Sequence, residues 1–136
     1  MKHFLTGICI VAASAVWAQT SAAQIRIEMA ARCTGLGEAL TAFYVGNADR
    51  AAEMRRMREE SQAIFAVLLD DAKAEGVTPD MKAALDRQTE VREWATRQAA
   101  QANDGTADAP AAAEALSTEM QVCQALRAAY PQALTE

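Results

Sequence analysis

The sequence predicts an all-α protein: a small antiparallel (up-down) four-helix bundle stapled by one disulfide, after a cleaved signal peptide. Three observations predict it. Apolar residues recur at spacings of three and four along four separate stretches, and no stretch sustains an alternation of two. The few glycines and prolines fall mainly where helices should end.

The N-terminus points to a compartment. "MKH" is a short basic start, and "FLTGICIVAASAVW" is an apolar run. That run, about 14 residues, is shorter than the ~20 that a permanent membrane helix requires. Small residues come next, and cleavage after Ala18 or Ala23 fits the pattern. Residues 1–23 are therefore read as signal peptide and residues 24–136 as a single helical domain, periplasmic or secreted. No membrane insertion of the mature chain is expected.

Charge narrows the partners. The chain carries 13 lysines and arginines against 18 acidic residues, a net charge of −5 that becomes −6 when Lys2 leaves with the leader. An acidic chain of this kind has no electrostatic reason to bind nucleic acid or an anionic membrane. Of the three cysteines, Cys9 lies in the leader. Cys33 and Cys123 remain, in an oxidising compartment, and can form a single intramolecular bridge.

The first helical segment is expected from about Ile25 to Val45, with Met29, Cys33, Leu36, Gly37, Leu40, Phe43 and Tyr44 on one face. Gly46–Asn47 should stop it, with Asn47 or Asp49 capping the second helix. That second segment, about Ala48 to Glu75, has the clearest stripe: Met54, Met57, Ser61, Ile64, Leu68 and Ala72. "EGVTPDM" should close it at Gly76 and open the third helix, with Thr78 as N-cap and Pro79 at the first helical position. The third segment, about Pro79 to Ala102, has a thinner face of Met81, Ala84, Leu85, Gln88, Val91 and Ala95. The polar stretch "NDGTADAP" is a loop. Asp108 and Pro110 start a fourth helix through about Ala129, whose face carries Ala112, Leu116, Met120, Cys123, Leu126 and Tyr130.

In an up-down bundle the first and last helices are neighbours and run oppositely. Cys33 lies eight residues after Ile25 and Cys123 seven before Tyr130. At about 1.5 Å per residue the two cysteines reach nearly the same height. The bridge Cys33–Cys123 is the expected staple. Gly37, one turn past Cys33, is expected to let the fourth helix approach closely, and Gly35 to face solvent.

Several chemistries lack their residues. The single histidine, His3, is in the leader. A mature chain without imidazole has no Ser–His or Cys–His nucleophile, no histidine zinc site and no c-type haem attachment. No enzyme activity, cofactor or metal is expected. Met54 and Met57 offer soft sulfurs to Cu(I) but belong to the core stripe. Paired carboxylates (Glu59–Glu60, Asp70–Asp71, Glu90 with Glu93) lie among arginines on outer faces, the usual setting of solvated ion pairs. "RRMRE", Arg55 to Glu59, is the one basic cluster, interleaved with glutamates. Trp94 flanks the thin third face, and tryptophan is enriched at binding hot spots.

The expected function is non-catalytic: a helical protein binding another envelope protein or peptide in an accessory, inhibitor or immunity-like role. Trp94, Gln88 and Val91 form the candidate partner-binding surface. The alternative is a small-ligand or metal-binding bundle with a polar interior around Ser61, Gln88 and the methionines.

Overall fold

A computed structural model describes residues 20–135, so most of the expected signal peptide lies outside the described residues. Among the described residues four helices succeed one another: α1 (Ala22–Phe43), α2 (Ala48–Ala74), α3 (Met81–Ala102) and α4 (Ala109–Ala129), with a short 3-10 turn at Pro131–Leu134. The fold is a disulfide-stapled helical bundle, as the periodicity predicts.

Local chemistry sets the helix ends. Ser21 caps α1, its hydroxyl accepting from the Gln24 N–H at 3.1 Å. The helix thus begins three residues earlier than the apolar stripe suggests. Asn47 caps α2 in the same way, through the Arg50 N–H. Gly76, at φ 74°, ends α2 in the left-handed conformation that glycine adopts without strain. The Val77 N–H returns to the Ala72 carbonyl and the Gly76 N–H to that of Lys73, a Schellman closure. The N-cap of α3 is Asp80, not Thr78, because the Asp80 carboxylate accepts from the Ala83 N–H at 2.9 Å.

Cross-helix pairs give the directions. Arg26 reaches Glu75 and Gly37 abuts Arg58, so α1 and α2 are antiparallel. Gln24 bonds Asp80 and Glu38 bonds Gln88, so α1 and α3 are parallel. Cys33 bonds Cys123 halfway along α1, while Leu40 and Phe43 near its end share a groove with Ala113 and Leu116 near the start of α4, so α4 runs back against α1. Arg32 clasps Glu119 across the same seam through two hydrogen bonds of 3.0 and 2.7 Å.

The first helix is the hub. It packs extensively on α2 and on α3, and α4 closes over it, whereas α2 and α3 make little contact with each other. Consequently α1 is buried on several sides: Ile27, Ala30, Ala31, Cys33, Thr34, Leu36, Ala39 and Leu40 are all interior. Small residues make this crowding tolerable, since alanine and glycine let neighbouring backbones approach.

Two glycines show how closely. A Cβ on Gly37 would stand 2.7 Å from the Cβ of Arg58 on α2, and one on Gly35 would overlap the Gln88 carbonyl oxygen on α3. Two residues turn a helix by about 200°, so these contacts lie on opposite sides of α1. The expectation that Gly37 admits α4 and Gly35 faces solvent is corrected here: the glycines admit α2 and α3.

The α2 stripe packs as expected, with Met54, Met57, Ser61, Ile64, Leu68 and Ala72 all buried. On α3, Ala84, Val91, Ala95 and Ala99 are buried, while Met81 and Leu85 are exposed. The interior is one contiguous cluster spanning all four helices. Cys33 and Cys123 are its staple, both 0% exposed, with Cα atoms 5.5 Å apart, inside the range a disulfide spans. No described helix is long and apolar enough to cross a membrane.

Candidate functional site

Where α1 and α3 end together, α4 does not fill the space above them. The result is a groove of about 470 Å³. Leu40 and Phe43 of α1 and Leu116 and Met120 of α4 supply its apolar surface, and Ala99 and Ala102 of α3 form a short wall. The alanines explain the opening, because a methyl group cannot reach across the gap that a leucine would fill.

Phe43 and Tyr44 occupy one end. Neighbouring positions on a helix point about 100° apart, so the two rings cannot both turn inward. They meet edge to face instead, with centroids 5.1 Å apart and planes at 79°. Tyr44 is half-buried, and the Arg50 guanidinium lies 6.0 Å from its ring centroid, where the ring's negative face attracts a cation. Phe43 is one of the exposed large apolar side chains.

The rim is polar and uncharged: Asn103, Ser117, Gln121 and Gln124 surround the opening. Asn103 is partly committed, since its amide donates to the Ala99 carbonyl at 2.8 Å. Among the described residues, no carboxylate, cation or thiol lines the groove. Just beyond Asn103, Asp104 is held below the usual carboxylate range, chiefly by the hydrogen bond from the Thr106 hydroxyl and then by the Thr106 N–H. The groove can therefore enclose an apolar group and offer neutral hydrogen bonds around it.

The residues singled out from sequence are placed differently from one another. Val91 is buried in the core cluster. Gln88 is half-buried and donates to Glu38 Oε1 at 2.8 Å, while Arg92 approaches the other carboxylate oxygen at 3.5 Å. Trp94 is half-buried and packs against the core. Ser61 does not meet Gln88; its hydroxyl donates to the Met57 carbonyl at 2.8 Å within its own helix. The two sit on helices that hardly touch, so they do not line a common polar interior. Met54 and Met57 are closed inside the core. Among the described residues, no group of three or more histidine, cysteine or acidic side chains is placed to hold a metal ion.

In the "RRMRE" cluster, Arg55 and Arg56 are exposed, whereas Arg58 lies half-buried over Gly37. Sequence reasoning missed the groove because Leu40, Leu116 and Met120 sit on stripes that read as core. The available signal was Phe43–Tyr44, two adjacent rings at a helix end. No protein-family model, no curated protein and no solved structure matches this chain.

Proposed function

We propose that this chain is a non-catalytic envelope protein that binds an apolar segment of another protein or peptide in the groove between α1, α3 and α4. The observation that carries this reading is the pairing of an apolar floor with a neutral amide and hydroxyl rim. An amphipathic helix could lay its apolar face along such a groove, with the rim amides bonding its polar edge. The buried disulfide and the leader-like N-terminus support an oxidising compartment outside the cytoplasm. Trp94 remains a candidate contact, while Val91 and Gln88 are engaged within the fold and act at most by shaping α3.

A photo-crosslinking side chain at Ser117, on the rim, tests the reading in living cells. One discrete envelope adduct is expected, and it should vanish when Met120→Glu places a charge on the apolar floor. An adduct pattern matching that of a probe at Arg87, on the exposed flank of α3, would reject the groove.

A small apolar ligand is the second reading. The groove's volume favours it, because small-molecule sites commonly enclose about 300–1,000 Å³. Native mass spectrometry on gently purified protein separates the two, since a retained ligand would appear as a fixed added mass. The metal form of this reading would require Met54 and Met57 to leave the core.

A further inference from the structure

We infer that maturation cuts the chain after Ala18, so that the mature protein begins at Gln19 and keeps residues 20–23 as part of its fold. The inference rests on the export reading and chooses, of the two bonds the sequence offers after Ala18 and after Ala23, the earlier one, in place of the boundary at residue 23 taken from the sequence alone.

Residues 21–24 are structural. Ser21 caps α1 by accepting from the Gln24 N–H, and its carbonyl accepts from the Ile25 N–H at 3.0 Å to start the helical ladder. Ala23 is 5% exposed and belongs to the core cluster. Gln24 is 7% exposed, and its side chain is fully engaged. Its carbonyl oxygen accepts from the Asp80 N–H at 2.9 Å, and its amide donates to the Asp80 carbonyl and to Glu28, both at 3.0 Å. "SAAQ" has the spacing of a capping box, but its glutamine turns to the α2–α3 connection instead of to its own cap.

A cut after Ala23 would remove the cap, the first ladder bond and one core residue together. It would also turn the Gln24 nitrogen into an ammonium group. That charge would sit at the positive end of a helix macrodipole, where a cation is disfavoured. A cut after Ala18 disturbs none of this and leaves Thr20, which is exposed, ahead of the cap. The peptidase meets an unfolded chain, so local sequence sets what it can cleave. The fold sets which product is stable.

The test is the intact mass of the full chain, expressed with its own leader and recovered from the cell envelope. Both cuts expose a glutamine, whose amine can close on its side-chain amide and expel ammonia. The length of the chain, not that loss, is therefore the readout. A chain spanning 19–136, with or without the lost ammonia, is the expected result. A chain spanning 24–136, or any other processed start, overturns the inference while leaving export intact. An uncut chain beginning at Met1 overturns export and the inference together. As a second measurement, a chain begun at Gln24 should melt about 4 °C or more below one begun at Gln19. Equal melting would overturn the structural argument.

Discussion

Gly35 of α1 faces the Gln88 backbone of α3 so closely that no side chain fits between them. A Cβ there would also stand 3.1 Å from the Gln88 carbonyl carbon and 3.2 Å from the Arg92 nitrogen. All three neighbours are backbone atoms, which cannot swing aside as the end of a side chain can. The spacing of the two helices is thus set by an absent methyl group.

Gly35→Ala should therefore destabilise the protein by about 1–3 kcal/mol through overpacking, despite the helix propensity that alanine gains. Gly37→Ala should act in the same direction against the Arg58 backbone. Gly46 has open space where its Cβ would go and no left-handed φ. Gly46→Ala should be neutral or slightly stabilising. Urea unfolding of the three variants checks the order, and an unchanged midpoint for Gly35→Ala would contradict the packing described.

Gln24→Ala should release the α2–α3 connection from the first turn of α1. The change removes the side-chain partner of the Asp80 N–H, while the Asp80 carbonyl keeps the Ala84 N–H and the residue stays open to water, so the cost should be about 0.5–1.5 kcal/mol. Hydrogen exchange should report it directly, with faster exchange at the Asp80 N–H. Gln24→Glu should restore the protection only in part, because a carboxylate can accept from the Asp80 N–H but cannot donate to the Asp80 carbonyl and would lie beside Glu28.

Removing the staple should cost more. The bridge spans a sequence separation of 90, for which chain entropy gives roughly 4–5 kcal/mol. A Cys33→Ala, Cys123→Ala double variant should show a large drop in melting temperature. Alkylation of the unfolded wild-type chain without reductant should label neither cysteine. Both being fully buried, reductant should act only as fast as the bundle opens.

Much of this architecture is legible in the sequence, and the exceptions have physical causes. The α2 stripe from Met54 to Ala72 names its buried residues correctly, because that helix meets the rest of the bundle on one face. The first helix does not behave so. Its single expected face gives way to burial on several sides, a consequence of three helices gathering around it. Periodicity identifies inward-facing residues but not the helix they meet, which is why Gly35 and Gly37 needed the structure to find their partners. Leu85 lies on the expected α3 face yet is 54% exposed, since α2 does not cover that flank as it would in a square bundle. The groove was hidden for a related reason. Leu116 and Met120 satisfy a core pattern, and only the register of α4 against the ends of α1 and α3 leaves them partly open.

The bridge between Cys33 and Cys123 also decides how the molecule carries mechanical load. Tension applied at the two ends passes from early α1 directly into late α4, bypassing the segment between the cysteines. About 300 Å of extensible chain is locked away from that pull, including all of α2 and α3. A protease that severs the loop near Gly105 leaves two pieces still tied at one point. Traction can fray the ends of this protein, but it cannot unspool its centre.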